Sequence, residues 1–229
     1  MKTMKKFLAR LLAFAWMGTA LGCATNNQRP VDLSTLEKPG AWKFFHVVPR
    51  IDQRDGKPVV HLQSLVDSAN GNVGLALSGG VEFGTGTIEL ELKGRNVRGR
   101  SFLGIAFNVV DERAFEAVYF RPFNFKADDP FRERAVQYVS WPANTWERLR
   151  KDHPKVFENA VNPVPDPDGW FRARIEVTTM QVRVFVNNAG APSLTVNRLP
   201  TDKKIRPIGL FVDTGDGSFA NVRITPGRE

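Results

Sequence analysis

One cysteine, three histidines and two tyrosines among 229 residues set the first limits on this chain. Cys23 has no partner, so no internal disulfide staples the fold. The histidines, His46, His61 and His153, show no His-x-His or His-x-x-x-His spacing, and no cysteine pair joins them, so no metal site is evident. Gly-x-Ser-x-Gly, a phosphate-binding loop and a dinucleotide fingerprint are also missing, which leaves no cofactor to name. No internal repeat occurs, and helical periodicity is almost wholly lacking.

What is present begins with an export signal. Lys2, Lys5 and Lys6 form a basic start, and Phe7 to Met17 form an apolar stretch interrupted only by Arg10. That stretch is too short and wrongly flanked for a stable membrane span. It ends in "TALGC", similar to a bacterial lipobox, in which Cys23 is lipidated and becomes the first mature residue. The expected organisation is a signal peptide over 1–22, a polar tether over 23–39 and a single domain over 40–229. The expected location is the bacterial cell envelope, on the outer-membrane or periplasmic side, with the lipid at Cys23 as membrane contact.

Charge excludes one class of partner. The whole chain carries 32 basic and 24 acidic residues, a net of +8. Four of the basic residues, Lys2, Lys5, Lys6 and Arg10, lie in the signal, so 28 remain against 24, a net of +4. A small excess, scattered rather than striped, does not point to nucleic acid.

Most of the chain alternates with period two, the pattern of half-buried strands. "TIELELKG" places Ile88, Leu90 and Leu92 on one face, with Glu89, Glu91 and Lys93 on the other. "SFLGIAFNVV" sets Leu103, Ile105, Phe107 and Val109 against Gly104, Ala106 and Asn108. "AFEAVYFRPF" turns Val118 and Phe120 inward and leaves Ala117, Tyr119 and Arg121 opposite. Phe171, Ala173, Ile175 and Val177 face in, "NNAG" supplies a hairpin turn, and Ile208, Leu210, Val212, Ala220, Val222 and Ile224 complete the inward set. Many short strands with turn signals predict an all-β, two-sheet antiparallel sandwich. One segment departs from it. In 142–169, Asn144 and Glu147 suggest a helix start, Trp146, Leu149 and His153 share a face, and Pro154 stops the helix. This short helical insertion either helps build a site over the sheet or covers an edge strand.

The C-terminal half carries a resemblance. "DGWFRARIEVTTMQVRVFVNNAGAPSLTV" resembles the strand–hairpin–strand of laminin G-like domains, and "RPIGLFVDTGDGSFANVRI" resembles their closing "G.iGL…G….F.NvrI". Residues 75–225 are thus similar to the concanavalin A-like lectin/glucanase superfamily, whose closing pattern also occurs in the 3-keto-disaccharide hydrolase domain. The resemblance implies a jelly roll with a concave face that binds sugar in many relatives. It does not carry a mechanism across. Family 16 glycosidases use Glu-x-Asp-x-(x)-Glu, and Glu89-Leu90-Glu91-Leu92-Lys93 lacks the third carboxylate.

Candidate site residues follow from alternation. Tyr119 offers a flat amphipathic surface, and Arg121, Asn108 and Gln137 offer planar donors and acceptors for vicinal hydroxyls. Asn124 turns over the rim behind Pro122, and Trp141 stands at the start of the insertion. Arg121 is either a ligand group or a structural cation stacked on aromatics and bonded to carbonyls. Trp141 and Trp146 form either an aromatic wall or a clip. Glu89 and Glu91 share a strand face about 6.5–7 Å apart, which is compatible with acid/base work on a glycoside, although Glu-x-Glu-x-Lys is common on exposed strands and favours a solvated face. His153 either reaches the sheet or sits at a helix end. Asp213 and Asp216 read as an Asp-Gly turn without calcium-loop spacing. Three functions stand: carbohydrate binding around Arg121, glycoside hydrolysis with Glu89, Glu91 or His153, and a non-catalytic envelope interaction.

Overall fold

The structure is a computed structural model that describes residues 27–66, 72–202 and 204–227. Cys23 and the expected signal, 1–22, lie outside the described residues. Fifteen strands and one α-helix are found among them: β1 (Arg29–Pro30), β2 (Trp42–Phe45), β3 (Val47–Arg54), β4 (Lys57–Ser64), β5 (Gly74–Phe83), β6 (Gly86–Lys93), β7 (Phe102–Asp111), β8 (Ala114–Phe120), β9 (Val136–Trp141), α1 (Trp146–Asp152), β10 (Glu158–Asn159), β11 (Phe171–Val177), β12 (Gln181–Val186), β13 (Leu194–Asn197), β14 (Arg206–Asp213) and β15 (Asp216–Pro226). No described helix is long and apolar enough to cross a membrane.

The strands form two antiparallel sheets. The first runs β13-β12-β11-β6-β15-β4-β3, with β1 added to β15, and the second runs β10-β9-β8-β7-β14-β5-β2. Alternation decides what lies between them. Ile88, Leu90 and Leu92 of the first sheet meet Leu103, Ile105, Phe107, Val118 and Phe120 of the second, all essentially without solvent exposure. The predicted inward sets on β11, β14 and β15 are buried too. The Asn187–Asn188 turn after β12 takes positive φ at both residues, as its sequence requires.

Three details depart from the sequence expectation. The sandwich begins before residue 40: β1 pairs with β15, and Val31, Leu33 and Leu36 are buried, so it already includes the chain from near Arg29. These aliphatics are too few and too widely spaced to show a period. The helix is capped by Thr145 rather than Asn144, because Asn144 makes a two-way backbone bridge with Ser140 that holds it outside the helix. The insertion also contributes a strand, since β10 pairs with β9 and covers that edge.

A buried ion pair clamps the layers together. Arg198, just beyond β13, donates from Nε and Nη2 to both carboxylate oxygens of Glu116 on β8, at 2.7–3.2 Å. Both side chains are essentially unexposed. Tyr138 Oη, Thr201 Oγ1 and Asn108 Nδ2 also donate to Glu116, at 2.6, 3.0 and 3.0 Å. The carboxylate is therefore fully engaged, which is what a buried charge requires. Burial, and then the charge of Glu116, push the Tyr138 phenol far above its ordinary pKa, so it acts here as a donor.

Candidate functional site

Register places Tyr119 and Gln137 on the outer face of the second sheet. Gly104 pairs with Phe211 on one side and Tyr119 on the other, and Tyr119 pairs with Gln137, which pairs with Glu158. Glycine between two aromatics lets their rings meet above it, and Tyr119 and Phe211 stack at 5.2 Å. One step along the strands, Asp213 pairs with Phe102. β8 then ends, because Pro122 cannot continue the ladder, and a 3-10 turn over Pro122–Asn124 carries the chain away. That ending leaves Arg121 at the lip of the sheet, aimed across its neighbours.

Around this lip lies a cleft of about 220 Å³. Tyr119, Arg121, Asn124 and Asp213 line it, with Phe102, Phe123, Phe131 and Trp146 as partly exposed rings and Arg98, Arg134 and Arg150 as cations. Arg121 is deeply buried. Its Nη2 donates to Tyr119 Oη at 2.9 Å and Gln137 Oε1 at 2.8 Å, and its Nη1 donates to the carbonyl of Arg134 at 2.8 Å. Its guanidinium lies 4.9 Å from the Tyr119 ring centre and 5.6 Å from that of Phe102. The arginine is thus both held in the way a structural cation is held and presented to a cleft. Burial pushes the Tyr119 phenol up to about 12, against the opposing pull of Arg121. Tyr119 therefore stays neutral and works only through hydrogen bonding and its ring face.

Beneath the cleft, Arg150 grips Glu158 with two prongs, at 2.8 and 2.6 Å. Arg121 and Arg134 approach the same carboxylate to 3.8 and 3.9 Å. Arg150 lies over Trp146 at 4.7 Å, so α1 supplies one wall as well as an edge cover.

The structure therefore gathers Tyr119, Arg121 and Asn124 around the cleft and Gln137 directly below it. The remaining candidates sit elsewhere. Alternation puts Asn108 on the face of Arg121, but a bulge after Phe107 gives it positive φ and swings its amide to Glu116, on the inner side. Trp141 stacks on Phe115 at 5.7 Å, away from the cleft lining, in the manner of a clip. His153 caps the C-terminal end of α1, exposed, with its ring edge-on to Phe157 at 5.8 Å. Glu89 and Glu91 lie on the outer face of the other sheet, so no single site combines them with Arg121. Glu89 is bonded by Arg172 and Gln28, and Glu91 by Arg54 and Asn221. Burial raises the Glu91 pKa, but the bonds from Arg54 and Asn221 outweigh it and hold the group below the ordinary carboxylate range, which is unsuited to a general acid. Alternation alone could have found Phe102 and Asp213. Glu158 and Arg134 come from the insertion and the loop before β9, where no period marks a side chain's direction, while Arg150 lies on α1, one turn after Trp146.

A second groove, of about 400 Å³, lies on the first sheet around His61, Asp216, Ser218 and Trp170. His61 Nδ1 is 3.1 Å from Ser218 Oγ, and Nε2 is 3.6 Å from Asp216 Oδ2. Burial, the dominant influence, holds His61 below its ordinary pKa; Asp216 opposes this, while Arg50 and Arg95 add to it. The unfolded chain thus takes up a proton at a pH where the folded chain does not. Stability should fall as pH drops through the unfolded value of about 6.5 towards the lower folded value. His61→Gln should flatten that part of the profile, read from urea midpoints between about pH 8 and about pH 5. Identical slopes for variant and parent would exclude this role.

No protein-family model matches the chain, and no curated protein matches it by sequence. Solved structures do. A carbohydrate-binding module, CBM66, from Bacillus subtilis is similar with a TM-score of 0.55 at 12% identity, over 81% of this chain and 96% of that one. A β-glucanase from Bacillus licheniformis is similar with a TM-score of 0.53 at 14% identity, over 89% and 100%. A galectin-like protein of unknown function from Bacillus subtilis reaches 0.52 at 13% identity, over 86% and 93%. At such identities the likeness speaks to the fold alone: this chain shares the two-sheet antiparallel jelly-roll sandwich of these structures.

Proposed function

We propose that this protein binds carbohydrate in the cleft around Arg121. The observation that carries the reading is the convergence there of a buried, fixed guanidinium, the neutral Tyr119 phenol, the Asn124 amide and several partly exposed rings. Rings stack on the apolar faces of sugars, and planar donors pair with neighbouring hydroxyls. The same fold in a carbohydrate-binding module and in a β-glucanase supports the reading. Binding is favoured over hydrolysis because, of the two carboxylates at the cleft, Glu158 has both oxygens taken by Arg150 and Asp213 accepts from Thr214 Oγ1 at 2.9 Å, while Glu89 and Glu91 lie on the far sheet. The signal-like start and Cys23 support export and a lipid anchor in the envelope, which the mass of the mature N-terminus tests.

A glycan array followed by calorimetric titration tests the cleft. Arg121→Met, checked for folding, should weaken binding about a hundredfold, in line with losing hydrogen bonds from a charged group. Trp146→Ala, on the rim, should weaken it without unfolding the chain. Undiminished affinity in both variants would remove the cleft from the function.

A further inference from the structure

We propose that the saccharide taken by this cleft is anionic, bearing carboxylate, sulfate or phosphate groups, and that Arg98, Arg121, Arg134 and Arg150 select it; this rests on the carbohydrate-binding reading of the same cleft. The first reason is charge. Four guanidinium groups line the cleft. Among the described residues, two carboxylates lie among or directly beneath them, Asp213 and Glu158. Both oxygens of Glu158 are already bonded to Arg150, yet Arg121 and Arg134 must share that same anion at 3.8 and 3.9 Å. Because Arg121 is only 5% exposed, the excess positive charge is partly shielded from water, where a ligand anion gains most.

The second reason is the balance of donors and acceptors. A sugar hydroxyl both donates and accepts, and a site for neutral sugars offers both kinds of group. Guanidinium only donates. Here the Gln137 carbonyl oxygen is already taken by Arg121, and Tyr119 also accepts from Arg121. Apart from Asp213, whose Oδ1 accepts from Thr214 Oγ1 at 2.9 Å, the cleft is thus rich in donors, which suits groups that only accept. The third reason is preorganisation. Arg98 lies over Phe131 at 4.1 Å, Arg134 over the same ring at 5.5 Å, and Arg150 over Trp146 at 4.7 Å. Stacked forks lose little freedom on meeting a carboxylate or sulfate.

Paired probes test this by calorimetry on the purified protein: oligogalacturonate against its methyl ester, and a sulfated galactan oligosaccharide against its desulfated form. Inorganic sulfate and phosphate alone serve as anion controls. The charged member of at least one pair should bind tenfold or more tightly than its neutral partner, and the preference should shrink as salt rises. Arg134→Gln should reduce it about tenfold. That change spares the fold, since the Arg134 carbonyl, not its side chain, accepts from Arg121 and Asn124. Equal affinity for both members of each pair would overturn the anionic inference and leave carbohydrate binding standing. No affinity for any saccharide would overturn both. Inorganic sulfate or phosphate binding as tightly as the charged saccharide would reduce the cleft to a simple anion site.

Discussion

Arg198→Ala should destabilise the protein by about 3–5 kcal/mol, one of the two largest losses expected of any single change here. The cause is not the lost attraction alone. Glu116 would remain between the sheets with a full charge and without the two-pronged partner that neutralises it. The bonds from Arg198 Nη1 to the carbonyls of Thr178 and Gly84 would go as well. Those bonds tie the end of β13 to the turns after β5 and β11, so the damage spreads beyond the pair. Removing the charge on both sides should recover much of the loss. Arg198→Met with Glu116→Gln keeps an acceptor for the Tyr138 hydroxyl and should be clearly more stable than Arg198→Ala. Urea denaturation followed by tryptophan fluorescence measures both. A single variant within about 1 kcal/mol of the parent would show that the pair is not the buried clamp described above.

Gly104→Ala should cost on the order of 3 kcal/mol and abolish ligand binding together with it. An added Cβ would lie 2.1 Å from the Val118 carbonyl oxygen and 2.6 Å from Tyr119 Cα. These are backbone atoms of a central strand, paired on both sides, and they cannot retreat as a flexible side chain would. Tyr119 would be pushed away from Phe211 and from Arg121, which disassembles the floor of the cleft. Gly190→Ala is the matched control, since nothing lies within 4 Å of its added carbon. It should be neutral or slightly stabilising. Equal effects at the two glycines would show that Gly104 is not filling a close backbone approach.

Much of this architecture can be read from the residues alone. Period-two alternation separates Val118 and Phe120 from Tyr119 and Arg121, and the folded chain keeps that division. Pro122 marks where β8 must end, and the Asn187–Asn188 pair marks its hairpin. Alternation fails where the ladder does. Asn108 sits at a bulge, so counting assigns it to the wrong face. Glu158 lies in a two-residue strand that exists only because β9 offers it an edge, and nothing local in sequence specifies that pairing. Arg134 and Arg150 depend on the path of a turn and an insertion. Beyond Arg121, the charge chemistry at the cleft is therefore hidden in the sequence, although the sheet that floors it is not. Glu89 and Glu91 show the converse: their spacing is right for chemistry, but only the fold reveals arginine partners and a face opposite to the cleft.

The most direct test of the central claim is a map of where a saccharide touches the folded chain. Isotope-labelled protein titrated with the tightest-binding oligosaccharide should show its largest NMR shifts at the Trp146 indole N–H and at the amides of Tyr119, Arg121 and Asn124. The amides flanking Glu89 and Glu91 should stay still. Shifts concentrated on β6, on the opposite face, would contradict the account and move the site to the other sheet.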